Sequence, residues 1–109
     1  MTKVELFETD LQSTAVIFKS LGHPARLAIL KYLAETRTCI SGDISNELPL
    51  SRTTVNQHLQ ELKDIGLIKG EISGVRVKYC LNHQRIESVK KIITRFLENI
   101  RVDNPIQNC

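Results

Sequence analysis

Two short predicted helices, separated by a proline within residues 41–68, most constrain how this chain folds. Asp43 suits the first turn of a helix over about 42–48, and Pro49 ends that helix. Ser51 is a good N-cap for the helix that follows, whose apolar residues recur at helical spacing. Two short helices joined by a tight turn predict a helix-turn-helix, in which the second helix can enter the major groove of DNA.

The second of these helices carries hydroxyl and amide side chains where an ordinary surface helix carries Glu and Lys. At about 100° per residue, Val55, Leu59 and Leu62 face the core, and Gly66 ends the helix. His58 lies nearer this buried stripe, and we expect it to pack at the helix base with one hydrogen bond rather than to contact a base. Hydroxyl, amide and guanidinium groups bond base edges and phosphates. The expected DNA-binding residues here are Ser51, Arg52, Thr53, Thr54, Asn56, Gln57 and Gln60.

The rest of the chain supplies elements that surround a helix-turn-helix. They are helices over 5–20, 24–35 and 84–100, a short strand over 36–40, and strands Leu67–Glu71 and Val75–Leu81 separated by a turn at 72–74. A helix-turn-helix followed by a β-hairpin is a winged helix, so the predicted fold class is mainly α with a small β-hairpin (α+β). We expect residues 1–100 to form one such domain, with dimerisation helices at both termini, and 101–109 to form a flexible tail.

The apolar spacing also predicts which sides of the flanking helices are apolar. The stripe of the first helix is Leu6, Leu11, Ala15, Phe18 and Leu21. The second helix is expected to bury Leu27, Leu30 and Leu33, with Ile29 flanking them. The first and last helices each have a wider apolar stripe than one small core needs. The expected dimer interface is therefore Leu11, Phe18, Ile93, Phe96, Leu97 and Ile100, although each of these residues could instead be core.

The predicted hairpin has one apolar and one polar face, since Val77 and Tyr79 alternate with Arg76 and Lys78. A basic wing commonly reaches phosphates or the minor groove, so Arg76 and Lys78 join the expected DNA-binding residues. The alternative is that these charges protect an edge strand from aggregation.

Composition excludes several classes of protein. The 109 residues suffice for one domain, and the net charge of +3 is weakly basic. There is no apolar run long enough to cross a bilayer, and the acidic N-terminus does not resemble a signal peptide, so we expect a cytoplasmic protein without a membrane partner. We find neither a Gly-rich phosphate loop nor paired carboxylates in an apolar setting, and we do not expect an enzyme.

Two segments carry a family resemblance: LGHPARLAILKYL at 21–33 and GDISNELPLSRTTVNQHLQELKDIGLI at 42–68. With the Gly-containing hairpin, they resemble the ArsR-type family of bacterial metal- and stress-sensing repressors, and the resemblance covers roughly residues 15–98. It implies a homodimer that binds double-stranded operator DNA and releases it when an effector binds. Because a dimer has two-fold symmetry, we expect it to read a near-palindrome, and the cysteines described below make a redox signal an alternative to an effector. The small inducer is not identified by any motif. The alternative is a winged helix used purely for protein–protein contact, without sequence-specific DNA binding.

The chain has three cysteines, Cys39, Cys80 and Cys109, and no Cys-x-x-Cys pair. If a strand at 37–40 pairs with 75–81, Cys39 and Cys80 lie on one face of adjacent strands. They are then inert thiols, a redox switch that forms a disulfide, or a weakened site for a metalloid or metal such as arsenite or Cd²⁺. Such an ion takes three or four thiolates, and Ser41 and Lys78 stand where some relatives have further cysteines. The last helix lacks the ligands of a zinc or nickel site, and we expect no certain cofactor.

Overall fold

A computed structural model describes residues 3–41, 48–73 and 76–100 of the chain. A 3-10 turn, Val4–Leu6, precedes the first of four helices. The elements are α1 (Thr9–Leu21), α2 (Pro24–Thr36), β1 (Ile40–Ser41), α3 (Arg52–Asp64), β2 (Ile68–Ser73), β3 (Arg76–Leu81) and α4 (His83–Glu98). This order confirms the predicted α+β fold class, with a hairpin between α3 and α4. The predicted helix over 42–48, apart from Leu48, and the predicted tail over 101–109 lie outside the described residues.

Helix α2 begins and ends at residues that suit helix boundaries. The Nδ1 atom of His23 accepts a hydrogen bond from the backbone N–H of Ala25 at 3.0 Å, and Pro24 occupies the first helical position as predicted. Arg37, with φ of 57°, adopts the left-handed conformation that ends many helices. The chain therefore leaves α2 sharply and turns into β1.

Helix α1 packs with a different side from the one that its apolar spacing predicts. Its buried residues are Ile17 and Ser20. Leu11 and Phe18, which belong to the predicted stripe, are 45% and 39% exposed. Apolar residues lie on more than one side of this helix, and its contacts with α2, α3 and α4 determine which side is buried. Within the stripe, Leu21 is half-buried against the core, whereas Leu11, Ala15 and Phe18 are exposed.

Helix α2 also differs at one position from the burial that its apolar spacing predicts. Ile29 and Leu33 are buried, as the core of a small domain requires. Leu27, predicted to be buried, is 53% exposed and is therefore a wrong prediction. It lies two residues from Ile29, about 200° around the helix, so both cannot face the core.

The three strands form an antiparallel sheet in the order β1-β3-β2. Ile40 of β1 pairs with Tyr79 of β3, and Ile68 of β2 pairs with Leu81 of β3. Val77 and Tyr79 are buried while Lys78 is exposed, which confirms the predicted alternation along β3. Strand β1 is shorter, and begins later, than the predicted strand over 36–40.

The hairpin differs from its prediction at the turn. Ile72 and Ser73, assigned to a turn by sequence, are the last two residues of β2 and pair with Val77 and Arg76. The backbone pairing of β2 with β3 therefore extends two residues beyond the predicted end of β2. Residues 74–75 lie outside the described part. Gly70 has a φ of +136°, and a Cβ there would lie 2.8 Å from the Cα of Tyr79. Close approach of β2 to β3 therefore requires glycine.

Helix α4 is capped by Asn82, whose side chain accepts from the backbone N–H of Arg85 at 3.2 Å. Val89 is its buried residue, while Leu97 and Ile100, which follow the same apolar spacing, are exposed. The core lies between α2, α3 and the sheet, and its most buried side chains are Ile29, Leu33, Val55, Leu59, Leu62, Leu67, Ile68 and Tyr79. In the described residues, no helix has the length and apolarity needed to span a membrane.

Candidate DNA-binding surface

Ser51 sets the start of α3. Its Oγ accepts a hydrogen bond from the backbone N–H of Thr54 at 3.3 Å and donates to Thr54 Oγ1 at 3.1 Å. An oxygen in this position satisfies one of the backbone donors that every helix leaves unpaired at its N-terminus. The predicted capping role of Ser51 is confirmed. At the other end, Leu67 N donates to Leu62 O and Gly66 adopts φ of +83°, so the helix ends where predicted.

One side of α3 is buried and the other is open to solvent. Val55, Leu59 and Leu62 are at most 1% exposed, as their spacing predicts. Thr54 and Asn56 lie half-buried on the flanks. The exposed residues of α3 include four of the predicted DNA-binding residues, and they are Arg52, Thr53, Gln57, Gln60, Glu61, Lys63 and Asp64.

The exposed side is not uniform along α3. Gln60 Nε2 donates a hydrogen bond to Asp64 Oδ1 at 2.9 Å, so the C-terminal half presents an amide paired with a carboxylate. The N-terminal half presents Arg52, Thr53 and Gln57. Since phosphates and base acceptors repel a carboxylate, the N-terminal half is the end of this helix that suits DNA.

His58 is 9% exposed and packs at the base of α3, as predicted. Its Nδ1 accepts a hydrogen bond from Arg26 Nε at 3.1 Å, and its ring centroid lies 4.2 Å from that of His23. Burial, followed by the neighbouring charges of His23 and Arg26, lowers the pKa of His58 from its ordinary value. The ring is therefore a neutral acceptor and part of the packing between α2 and α3.

Arg26 is a structural residue that the sequence reasoning missed. Besides the bond to His58, its Nη1 donates to the backbone oxygen of Ser20 at 3.0 Å. One guanidinium thus joins the end of α1, the start of α2 and the buried side of α3. Its position two residues after Pro24, at the first turn of α2, is the only local signal, and it does not indicate the partner.

Arg85 plays a similar part at the other end of α3. Its Nε donates to the backbone oxygen of Ile65 at 2.9 Å, and a Cβ added to Gly66 would lie 3.3 Å from Arg85 Cγ. This contact connects the start of α4 to the end of α3. Sequence reasoning did not detect it, because the two residues are 20 positions apart.

Lys78 lies on the exposed face of the sheet, next to Glu71 on β2 and Ser41 on β1. Because β3 is the central strand, Lys78 does not protect an edge, and that alternative is wrong for this residue. Arg76 pairs through its backbone with Ser73, and its side chain lies outside the described part of the structure.

The predicted dimer residues lie on α1, on α4 and just after α4, and Ile93 among them packs against the core. Leu11, Phe18, Leu97 and Ile100 are exposed, whereas Ile93 and Phe96 are half-buried. The rings of Phe18 and Phe96 meet edge to face with centroids 5.8 Å apart. This contact joins the two helices into one continuous apolar surface.

Cys39 and Cys80 form a disulfide with their Cα atoms 4.3 Å apart. Cys39 directly precedes β1, and the register of Ile40 with Tyr79 places it beside Cys80, as the predicted strand pairing requires. Within the described residues, no group of three or more His, Cys, Asp or Glu side chains is placed to hold a metal ion. Cys109, the possible third thiol, lies outside them.

Comparison with known proteins agrees with this geometry. A helix-turn-helix domain model matches residues 21–71. An uncharacterized HTH-type transcriptional regulator of Methanocaldococcus jannaschii is 34% identical over 75% of this chain and 92% of its own length. The transcriptional repressor PagR of Bacillus anthracis is 28% identical over 90% of this chain and 88% of its own length.

The fold has a solved counterpart. An ArsR-like transcriptional regulator from Rhodococcus sp. RHA1 superimposes with a TM-score of 0.59, covering 80% of this chain and 81% of that one at 21% identity. The two share the winged arrangement of helices and a small sheet. The matched regulators and the helix-turn-helix match show the family, and the solved structure shows the same fold: this chain belongs to the ArsR-type winged helix-turn-helix family of DNA-binding transcriptional regulators.

Proposed function

We propose that this repressor binds a near-palindromic operator as a homodimer, reads bases with the N-terminal half of α3, and changes its DNA affinity with the redox state of Cys39 and Cys80. The observation that carries the DNA-reading part is the exposed row of Arg52, Thr53 and Gln57 above a fully buried stripe. The buried stripe holds the helix rigidly, so the exposed groups keep a constant position relative to the domain.

The polar side chains in the N-terminal half of α3 match chemical groups of the major groove. Gln57 and Asn56 suit the N6 and N7 atoms of adenine, and Arg52 suits O6 and N7 of guanine. Thr53 suits the methyl group of thymine. Ser51 and Thr54, which share the N-cap, lie where a helix N-terminus meets a phosphate. Gln60, whose amide bonds Asp64, is assigned to the edge of the contact.

The hairpin is proposed to contact the DNA backbone beside this helix. Lys78 is exposed on the outer face of the sheet, and Arg76 is two residues closer to the tip of the wing. Contacts of this kind position the protein on the duplex and carry no sequence information themselves.

The exposed apolar face of α1 and α4 supports the proposed homodimer. Exposed large side chains at Leu11, Phe18, Leu97 and Ile100 cost free energy in water, which association with a second copy would recover. Two α3 helices related by a two-fold axis would read half-sites about one helical turn apart. The dimer also doubles the phosphate contacts and so raises affinity.

The disulfide supports a redox signal over the two other interpretations of the cysteines. It joins the segment between α2 and α3 to the central strand of the sheet, where only two residues of β1 otherwise pair. Reducing the disulfide removes this covalent link between the segment that follows α2 and strand β3. A soft ion takes three or four thiolates, whereas the described structure brings two sulfurs together.

DNA reading is tested by gel shift on the DNA fragment immediately upstream of the chain's own gene, with a shuffled fragment as competitor. We expect Gln57→Ala to weaken specific binding by about 5- to 150-fold while leaving shuffled DNA unaffected. Gln84→Ala, the same change at an exposed position of α4, should leave both unchanged. Equal binding of both fragments by the native chain would instead indicate a winged helix used for protein contacts.

Redox control is tested on the same fragment with the oxidised and the reduced chain. We expect the two forms of the native chain to differ in operator affinity. Cys39→Ser should abolish the difference, and Cys109→Ser, which keeps the pair, should retain it. Identical affinities in both forms would make the two thiols inert with respect to DNA.

A further inference from the structure

A cleft of about 820 Å³ opens beside the Cys39–Cys80 disulfide. Its walls come from the end of α2, the segment leading into β1, the end of β3 and the first two turns of α4. Both cysteines line it; Cys39 is exposed and Cys80 half-buried. A volume of this order accommodates a small molecule, so the disulfide is accessible to one.

The cleft carries more positive than negative charge. Arg37, the left-handed residue that ends α2, and Lys90 of α4 are the two cations that line it. Glu87 is the one acidic lining residue in the described part, and Lys90 Nζ lies 3.2 Å from its Oε1. Arg37 therefore remains the cation whose charge is not matched by a carboxylate of the cleft.

Apolar side chains form another part of the lining. Leu33 is buried, and Leu81 and Ile86 are half-buried. A ligand with a carbon backbone, a thiol and an acidic group would match these walls, the disulfide and Arg37 respectively.

We propose that this cleft binds an anionic low-molecular-weight thiol, which reduces the Cys39–Cys80 disulfide by thiol–disulfide exchange. The inference rests on the proposed redox control and names the reductant of that site. The attacking species in such an exchange is the thiolate, and nearby cations stabilise it and the sulfur that leaves.

The exchange proceeds in two displacements. The ligand thiolate attacks Sγ of Cys39, the more exposed cysteine; the S–S bond breaks, and Cys80 leaves as a thiolate. A second ligand thiolate then attacks the ligand sulfur of this mixed disulfide and releases Cys39. Two ligand thiols are oxidised to their disulfide, the protein disulfide is reduced to two thiols, and the two protons lost by the ligand end on Cys39 and Cys80.

The test measures the rate of reduction of the oxidised full chain by 3-mercaptopropionate, by 2-mercaptoethanol and by cysteamine, each corrected to its thiolate concentration. Free thiols and the mixed disulfide on Cys39 are followed by mass spectrometry. We expect the anionic thiol to react about fivefold faster than the neutral one, and the cationic thiol to react slowest. The preference should shrink as salt is added.

Variants assign the preference to the cleft. Arg37→Gln should reduce the preference for the anionic thiol to about that which the three thiols show towards a small disulfide in solution. Lys91→Gln, which removes the same charge from a part of α4 outside the cleft, should retain the preference of the native chain. Equal rates for the three thiols in the native chain, or an unchanged preference in Arg37→Gln, would overturn the inference. These rates do not involve DNA, so they are independent of whether oxidised and reduced chains differ in operator affinity.

Discussion

The Nε atom of Arg26 donates a hydrogen bond to the Nδ1 atom of His58 over 3.1 Å, which joins the first turn of α2 to the buried side of α3. The bond requires His58 to be neutral, because a protonated Nδ1 cannot accept. A contact that positions α3, the helix proposed to read DNA, thus depends on the protonation state of a buried imidazole.

Stability should therefore fall on mild acidification. The pKa of His58 is lowered in the folded state, first by burial and then by His23 and Arg26, so the unfolded chain takes up a proton first. The contribution of His58 to the free energy of unfolding is complete above about pH 6.5 and is lost as the pH falls through the folded-state pKa. The free energy of unfolding then falls by at most about 1.4 kcal/mol per pH unit. Urea unfolding from pH 7.5 to 5 measures this loss.

A matched pair of variants isolates the histidine. His58→Asn, which keeps an acceptor near the Nδ1 position, should flatten the pH dependence between pH 6.5 and 5. His83→Asn, at an exposed position, should leave it as in the native chain. An unchanged slope in His58→Asn would show that other groups cause the acid sensitivity.

Two substitutions at Ser51 separate its helix-capping role from its proposed contact with DNA. Ser51→Ala should destabilise the domain by about 1 kcal/mol, because the N–H of Thr54 loses its acceptor. Ser51→Asp should restore the cap and the stability but weaken operator binding, since a carboxylate repels phosphate. Thermal unfolding and gel shift measure the two effects. Native-like operator binding by Ser51→Asp would mean that no phosphate lies near this residue.

Gly70 should tolerate no side chain. Its φ of +136° is a conformation that glycine alone adopts readily, and a Cβ would overlap the backbone of Lys78 and Tyr79. We expect Gly70→Ala to cost about 1–3 kcal/mol or more in urea unfolding. Gly22→Ala is the control: φ there is −79°, and its loss should be clearly smaller. Equal losses would indicate that β2 shifts to accommodate the methyl group.

The apolar face of α1 and α4 should control association. Leu97→Lys places a charge on this face at a residue that is 56% exposed, so it should dissociate the proposed dimer without destabilising the monomer. Leu27→Lys makes the same change on α2 at a residue that is 53% exposed. Sedimentation velocity should show a smaller species for Leu97→Lys alone. A native-sized Leu97→Lys would place the dimer interface elsewhere.

Local features of the chain follow from the sequence by itself. Ser51 and Pro24 were predictable because capping and helix initiation depend on neighbours within one turn. The buried stripe of α3 was predictable because its apolar residues all lie on one side, and the rest of that helix is polar. The alternation along β3 follows from the two-residue period of a strand.

Where a helix has two apolar faces, the tertiary structure decides which face is buried. In α1, both the face of Ile17 and the face of Leu11 and Phe18 are apolar, and only packing against α2, α3 and α4 selects the first. The bond from Arg26 to His58 and the disulfide between Cys39 and Cys80 join residues 32 and 41 positions apart. Spacing along the chain gives no indication of the first of these contacts. Strand pairing predicted that Cys39 and Cys80 lie side by side but left open whether they bond, and the positions of the helices and the sheet decide this.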